Sequence, residues 1–83
     1  MLGNTKNYLS MGEIFMWTEL RYCNEGDYIK ASFLGNKDPE DSNDYNWHRI
    51  YSLERKSNGK YYAAIEGWRG GEVYGSEDVY LKS

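Results

Sequence analysis

The sequence predicts a mainly β fold: a single small domain of five to six short antiparallel strands, as a meander or small barrel. Three observations carry this. Apolar and polar residues alternate with period two through several runs, the pattern of half-buried strands. Clusters of Gly, Asn and Asp separate those runs. Asn58-Gly59 sits between two alternating runs, the strongest short-range hairpin signal. A chain of 83 residues has room for one domain, 1–83. Residues 1–9 are polar and expected to be loosely ordered.

The first element admits two readings. Ser10 and Glu13 have capping-box spacing, and Leu9 can staple onto Ile14. This predicts a helix near residues 11–22 and an α+β fold. Against it, Ile14, Met16, Thr18, Leu20 and Tyr22 alternate strictly in a stretch rich in β-formers, which predicts a strand. Asn24 and Gly26 mark a turn, and residues 27–34 resume alternation. The strand reading therefore pairs 14–22 with 27–34 as a hairpin. Residues 35–44 hold the only Pro among Gly, Asn, Ser and acids, and read as a loop unusually long for a compact domain. Residues 46–54 and 61–68 form the hairpin around Asn58-Gly59. Arg69-Gly70-Gly71 reads as a turn, followed by short strands at 72–75 and 77–82 broken at Gly75-Ser76. Trp17, Phe33, Ile50, Ile65 and Val79 are the expected core. Trp47, Tyr51, Tyr61, Tyr62, Trp68 and Tyr74 include the aromatics expected outside.

Composition removes several function classes. No apolar run approaches the roughly 18 residues of a membrane span. The N-terminal MLGNTKNYLSMGE lacks a basic start and an apolar stretch, so no signal peptide is expected, and the protein reads as cytoplasmic. Its opening Met and its length fit a complete small reading frame. Cys23 is the only Cys and His48 the only His. No disulfide, structural zinc site or hydrolytic triad can be assembled from them, and a Cys–His nucleophile pair has nothing local to activate it. Asp38, Glu40, Asp41 and Asp44 lack the spacing of an EF-hand loop. The Gly67, Gly70 and Gly71 cluster lacks the ending and context of a phosphate-binding loop. No metal, no cofactor and no enzymatic activity are expected.

Binding is the class that remains. Fourteen aromatics exceed what so small a core needs. The net charge of −3 is unevenly spread: residues 25–44 hold six acids and two bases, residues 45–69 five bases and two acids. The acidic loop with neighbouring aromatics (Asp38, Glu40, Asp41, Asp44, Tyr45, Trp47) suits a basic protein surface, where charge steers encounter and rings hold the complex. The sharpest form of this expectation is an inhibitor occupying the basic groove of a larger nucleic-acid-handling protein. Phage-encoded inhibitors, anti-CRISPR proteins among them, share this size and charge, though no motif here matches a family. The alternative is single-stranded nucleic acid held on the hairpin 47–69, through Arg49, Tyr51, Arg55, Lys56, Lys60, Tyr62, Trp68 and Arg69. Net acidity and the absence of an RNP-like motif weigh against it. A third expectation is assembly of homo-oligomers through a free strand edge.

Overall fold

A computed structural model describes residues 14–82, and the expectations for residues 1–13 lie outside it. The protein is mainly β, with six strands: β1 (Phe15–Glu19), β2 (Tyr28–Lys30), β3 (His48–Arg55), β4 (Lys60–Ile65), β5 (Trp68–Tyr74) and β6 (Asp78–Lys82). They form one open antiparallel sheet in the order β1-β6-β2-β3-β4-β5, not a closed barrel. Of the two readings of the first element, residues 15–19 are strand. Two 3-10 turns, Leu20–Tyr22 and Ser32–Leu34, are the helical elements among the described residues, and no helix there is long and apolar enough to cross a membrane.

The half built from β3, β4 and β5 is a meander. Asn58 and Gly59 both take positive φ, 60° and 73°, as the Asn-Gly signal requires. The next turn lies earlier than its sequence signal. Ile65 pairs directly with Trp68, so Glu66-Gly67 makes the turn, with Gly67 at φ 77°. Arg69-Gly70-Gly71 is part of β5, which runs unbroken to Tyr74.

The other half departs from the expected hairpin. β1 and β2 are not neighbours: β6 lies between them, pairing Phe15 with Lys82 on one side and Tyr28 with Lys82 on the other. The turn at Asn24–Asp27 closes as expected, with the Asp27 N–H donating to the Asn24 carbonyl. However, its second half bonds to β3: Gly26 N–H donates to Ile50 O (2.7 Å) and Ile50 N–H to Asp27 O (2.8 Å). The preceding 3-10 turn is drawn to the β5–β6 connection, where Leu20 and Arg21 donate to the carbonyls of Glu77 and Gly75. Asp78–Lys82 pair with β1, and Tyr80–Lys82 pair also with β2, so the strand that a simple β1–β2 hairpin would leave at an edge becomes central.

The register sorts the two faces. Met16, Leu81 and Ile29 form one row; Trp17, Tyr80 and Lys30 form the next, on the opposite face. The first face carries the core: Ile29, Ile50, Ala63, Ile65, Val79 and Leu81, joined by Leu20, Cys23 and Ala31 and flanked by Phe33, Leu34, Leu53, Trp68 and Val73. Trp17, expected in the core, is instead on the outer face and 44% exposed.

The loop from 35 to 47 is built, not merely solvated. β2 stops at Lys30 because the next ladder position is taken by a side chain. Asn36 Oδ1 accepts the Ala31 N–H (3.0 Å), and the Asn36 N–H donates back to the Ala31 carbonyl (3.2 Å). Beyond it, Asp38, Asp41 and Asp44 recur every three residues. Each carboxylate accepts the main-chain N–H two positions on, from Glu40, Asn43 and Asn46 (2.9–3.2 Å). These are successive Asx turns, and Asp and Asn are the residues that make them.

Candidate functional site: an aromatic cleft beside an exposed edge strand

The alternation of β1, β6 and β2 places Phe15, Trp17, Tyr80, Lys82, Tyr28 and Lys30 together on the outer face. The loop 35–47 crosses this face and adds Glu40, Tyr45 and Trp47. Between sheet and loop lies a cleft of about 400 Å³. One wall is aromatic. Phe15, Trp47 and Tyr80 have centroids 5.8–6.1 Å apart and ring planes within 28° of one another. Ser42, Tyr45 and Glu40 line the loop side, and the Glu40 carboxylate accepts the Trp17 indole N–H, which ties the loop to β1.

Two ammonium groups sit among these rings. Lys82 Nζ is 4.9 Å from the Trp47 ring centroid and 5.4 Å from that of Tyr28. Lys30 Nζ is 4.5 Å from the Trp47 centroid and donates to the Asp41 carbonyl at 3.0 Å. Lys30 is only 2% exposed.

Six residues were expected from sequence to bind protein. Glu40, Tyr45 and Trp47 line the cleft. Asp38 and Asp41 are exposed on the loop beside it, their carboxylates committed to Asx turns. Asp44 faces inward, where the Asn36 amide donates to it at 2.9 Å. That hydrogen bond, then the Asn46 N–H, holds the Asp44 carboxyl below its ordinary 3.8; partial burial opposes them, and the charges of Lys30 and His48 assist.

The residues of the basic hairpin are dispersed. On β3, β4 and β5, Tyr62 sits in a row between Glu54 and Glu72. Lys56 and Lys60 have acidic neighbours in Glu54 (3.6 Å) and Glu72 (3.9 Å). Trp68 packs edge-on against Phe33 at the margin of the core (5.3 Å). Arg55 shares its row with Tyr61 and Val73 on the core side of the sheet, while Arg49, Tyr51 and Arg69 are exposed elsewhere on β3 and β5.

No family model matches the chain, and no curated protein or solved structure shows significant similarity to it.

Among the described residues no group of three His, Cys, Asp or Glu side chains could hold a metal ion. Burial, aided by the Asp27 charge, pushes the Cys23 thiol up to about 11, and Sγ donates weakly to the Glu19 carbonyl (3.8 Å). A thiol held neutral is the reverse of an activated nucleophile. Cys23 in the folded protein is therefore expected to resist a disulfide reagent near pH 8 and to react at once in denaturant. Fast labelling of the native protein would contradict this placement. Because the folded value is the higher one, the thiol's contribution to stability is complete below pH 9.0. It is lost as pH rises from there through about 11.

Phe15, Lys30, Tyr80 and Lys82 complete the cleft and were not among the residues expected from sequence. No local pattern marks them. They meet only because β6 inserts between β1 and β2.

Proposed function

We propose that the protein is a non-enzymatic binding module that docks β1 and its adjoining acidic loop onto a basic surface of a larger protein. One observation carries this reading. Ile14, Phe15, Met16 and Trp17 are consecutive large apolar residues, each 44–53% exposed. Ile14 precedes β1 and the other three lie along it; among the described residues β1 has a single ladder neighbour, β6. An apolar edge strand left exposed is a pairing site or a hazard, and natural proteins usually blunt such edges with charge. Here the charge stands on the loop beside it, where Asp38, Glu40 and Asp41 are exposed. The pairing of apolar anchors with negative charge fits a partner that is itself positive, as nucleic-acid-handling surfaces are. Occupying such a surface would make the domain an inhibitor.

The test is capture from native lysate with and without nuclease, using wild type and Met16→Lys. Met16 is half exposed at the edge, where lysine is tolerated. The expected result is one stoichiometric protein that survives nuclease and binds the variant at least about tenfold more weakly. Loss of all captured proteins on nuclease treatment would overturn the reading in favour of nucleic acid.

The same open edge favours a second reading, pairing of two copies through β1. Light scattering at micromolar concentration separates the two. A dimer that Met16→Lys dissolves would establish self-assembly.

A further inference from the structure

We propose that the cleft between the outer sheet face and the loop 35–47 is a small-molecule site for a planar ring that carries an N–H edge and an anionic group. Nucleotide-like and aminoaryl-carboxylate ligands share this chemistry. The inference goes beyond partner docking: it concerns the interior of the cleft, which shares Phe15 and Glu40 with the docking surface.

Lys30 is the first argument. An ammonium has three donors. Among the described residues Lys30 has one hydrogen-bond acceptor, the Asp41 carbonyl, and no carboxylate within ion-pair distance. A charge buried this deeply costs several kcal/mol unless it is paired and hydrogen-bonded. The Trp47 face offsets part of that cost. The rest is recovered when a ligand anion brings acceptors to the donors left over, and the cleft that Lys30 lines provides the access.

The sign of the ligand follows from the rings. Aromatic walls ordinarily attract cations, yet around Trp47 those places are taken by Lys30 and Lys82. A cationic ligand would meet like charge; an anion would meet the Lys30 ammonium and its remaining donors. The near-parallel wall of Phe15, Trp47 and Tyr80 supplies stacking for a flat ring. On the loop lining the same cleft, the Glu40 carboxylate, already accepting from Trp17, has a second oxygen for a ring N–H. The volume lies within the range of small-ligand pockets, roughly 300–1,000 Å³.

Calorimetric and tryptophan-fluorescence titrations of the full chain at low salt test this. The probes are AMP, anthranilate, adenosine and inorganic phosphate. AMP has ring and phosphate, anthranilate has ring and carboxylate, and the last two each lack one part. The expected result is one-to-one binding of AMP or anthranilate, whichever anion source the site takes, at least about tenfold tighter than adenosine or phosphate. Lys30→Met should lower that affinity by a similar factor while melting no lower than the wild type. Chemical-shift mapping on the wild type, which needs no variant, should place the perturbation at the Trp47 indole and on β6. Four outcomes would overturn the proposal: no binding of either complete probe at millimolar concentration, equal binding of the partial probes, undiminished affinity in Lys30→Met, or shifts confined to the 55–62 hairpin.

Discussion

Asn36→Ala is expected to lower the unfolding free energy by about 2–4 kcal/mol, from the main-chain groups it strands. Asn36 is 4% exposed and uses both ends of its side-chain amide. Oδ1 accepts the Ala31 N–H, while Nδ2 donates to the Asp44 carboxylate and to the Asn46 carbonyl (3.0 Å). Donors face acceptors on all sides, so the amide orientation is fixed by its surroundings. Alanine leaves the buried Ala31 N–H unpaired and detaches residues 44 and 46 together. The stretch from 44 to 46 then loses its side-chain anchor, and the rest of the loop is held over the sheet by the Lys30–Asp41 and Trp17–Glu40 hydrogen bonds. Urea unfolding of wild type and variant measures the change, and a loss below about 1 kcal/mol would show that water replaces the amide.

The same variant has a pH signature. The Asp44 carboxyl is held below 3.8 chiefly by the Asn36 amide. A depressed carboxylate contributes stability that is present above its unfolded value and lost as pH falls through the folded one. The gap between wild type and Asn36→Ala is therefore expected to narrow as pH drops below about 3.8. It should not vanish, because the Ala31 and Asn46 hydrogen bonds do not titrate. A gap independent of pH would mean that Asp44 plays no part.

The contrast between the two halves of the sheet shows how far the sequence can be read. The β3–β4 hairpin is legible because its information is local: two alternating runs and a turn whose residues tolerate positive φ. The placement of β6 is not, since pairing Phe15 with Lys82 spans nearly the whole described chain and alternation carries no register. Trp17 shows the consequence. Hydrophobicity alone assigns it to the core, yet alternation permits either parity. The observed register instead turns Met16 toward the Leu81–Ile29 row. The loop was legible as acidic but not as structured. Its aspartates, at three-residue spacing, act first as turn formers and only then as charge. Lys30 and Tyr80 were invisible as site residues for the same reason as β6: nothing within ten positions of either announces the other.

Gly75→Ala is expected to destabilise the fold by about 2 kcal/mol, although nothing about its backbone angle demands glycine. A Cβ at this position would lie 2.6 and 2.9 Å from the Tyr61 ring carbons Cε1 and Cδ1, and 3.0 Å from Arg21 Cβ. The main chain cannot back away. Gly75 N–H donates to the Gly59 carbonyl (2.8 Å), and its carbonyl accepts the Arg21 N–H (2.9 Å). Three segments thus converge on one buried glycine: the tip of the β3–β4 hairpin, the β5–β6 turn and the 3-10 turn after β1. The Tyr61 ring is half buried in a row with Arg55 and Val73, so it cannot swing out without uncovering that part of the core. A double-mutant cycle identifies the cause. If the ring is the obstacle, most of the cost of Gly75→Ala should disappear in a Tyr61→Ala background, giving a coupling of about 1 kcal/mol or more. Strict additivity would transfer the blame to Arg21 and the backbone. Either result bears on topology, because Gly75 is where the chain commits to sending β6 back between β1 and β2. A methyl group there strains the junction on which both the cleft and the exposed edge depend.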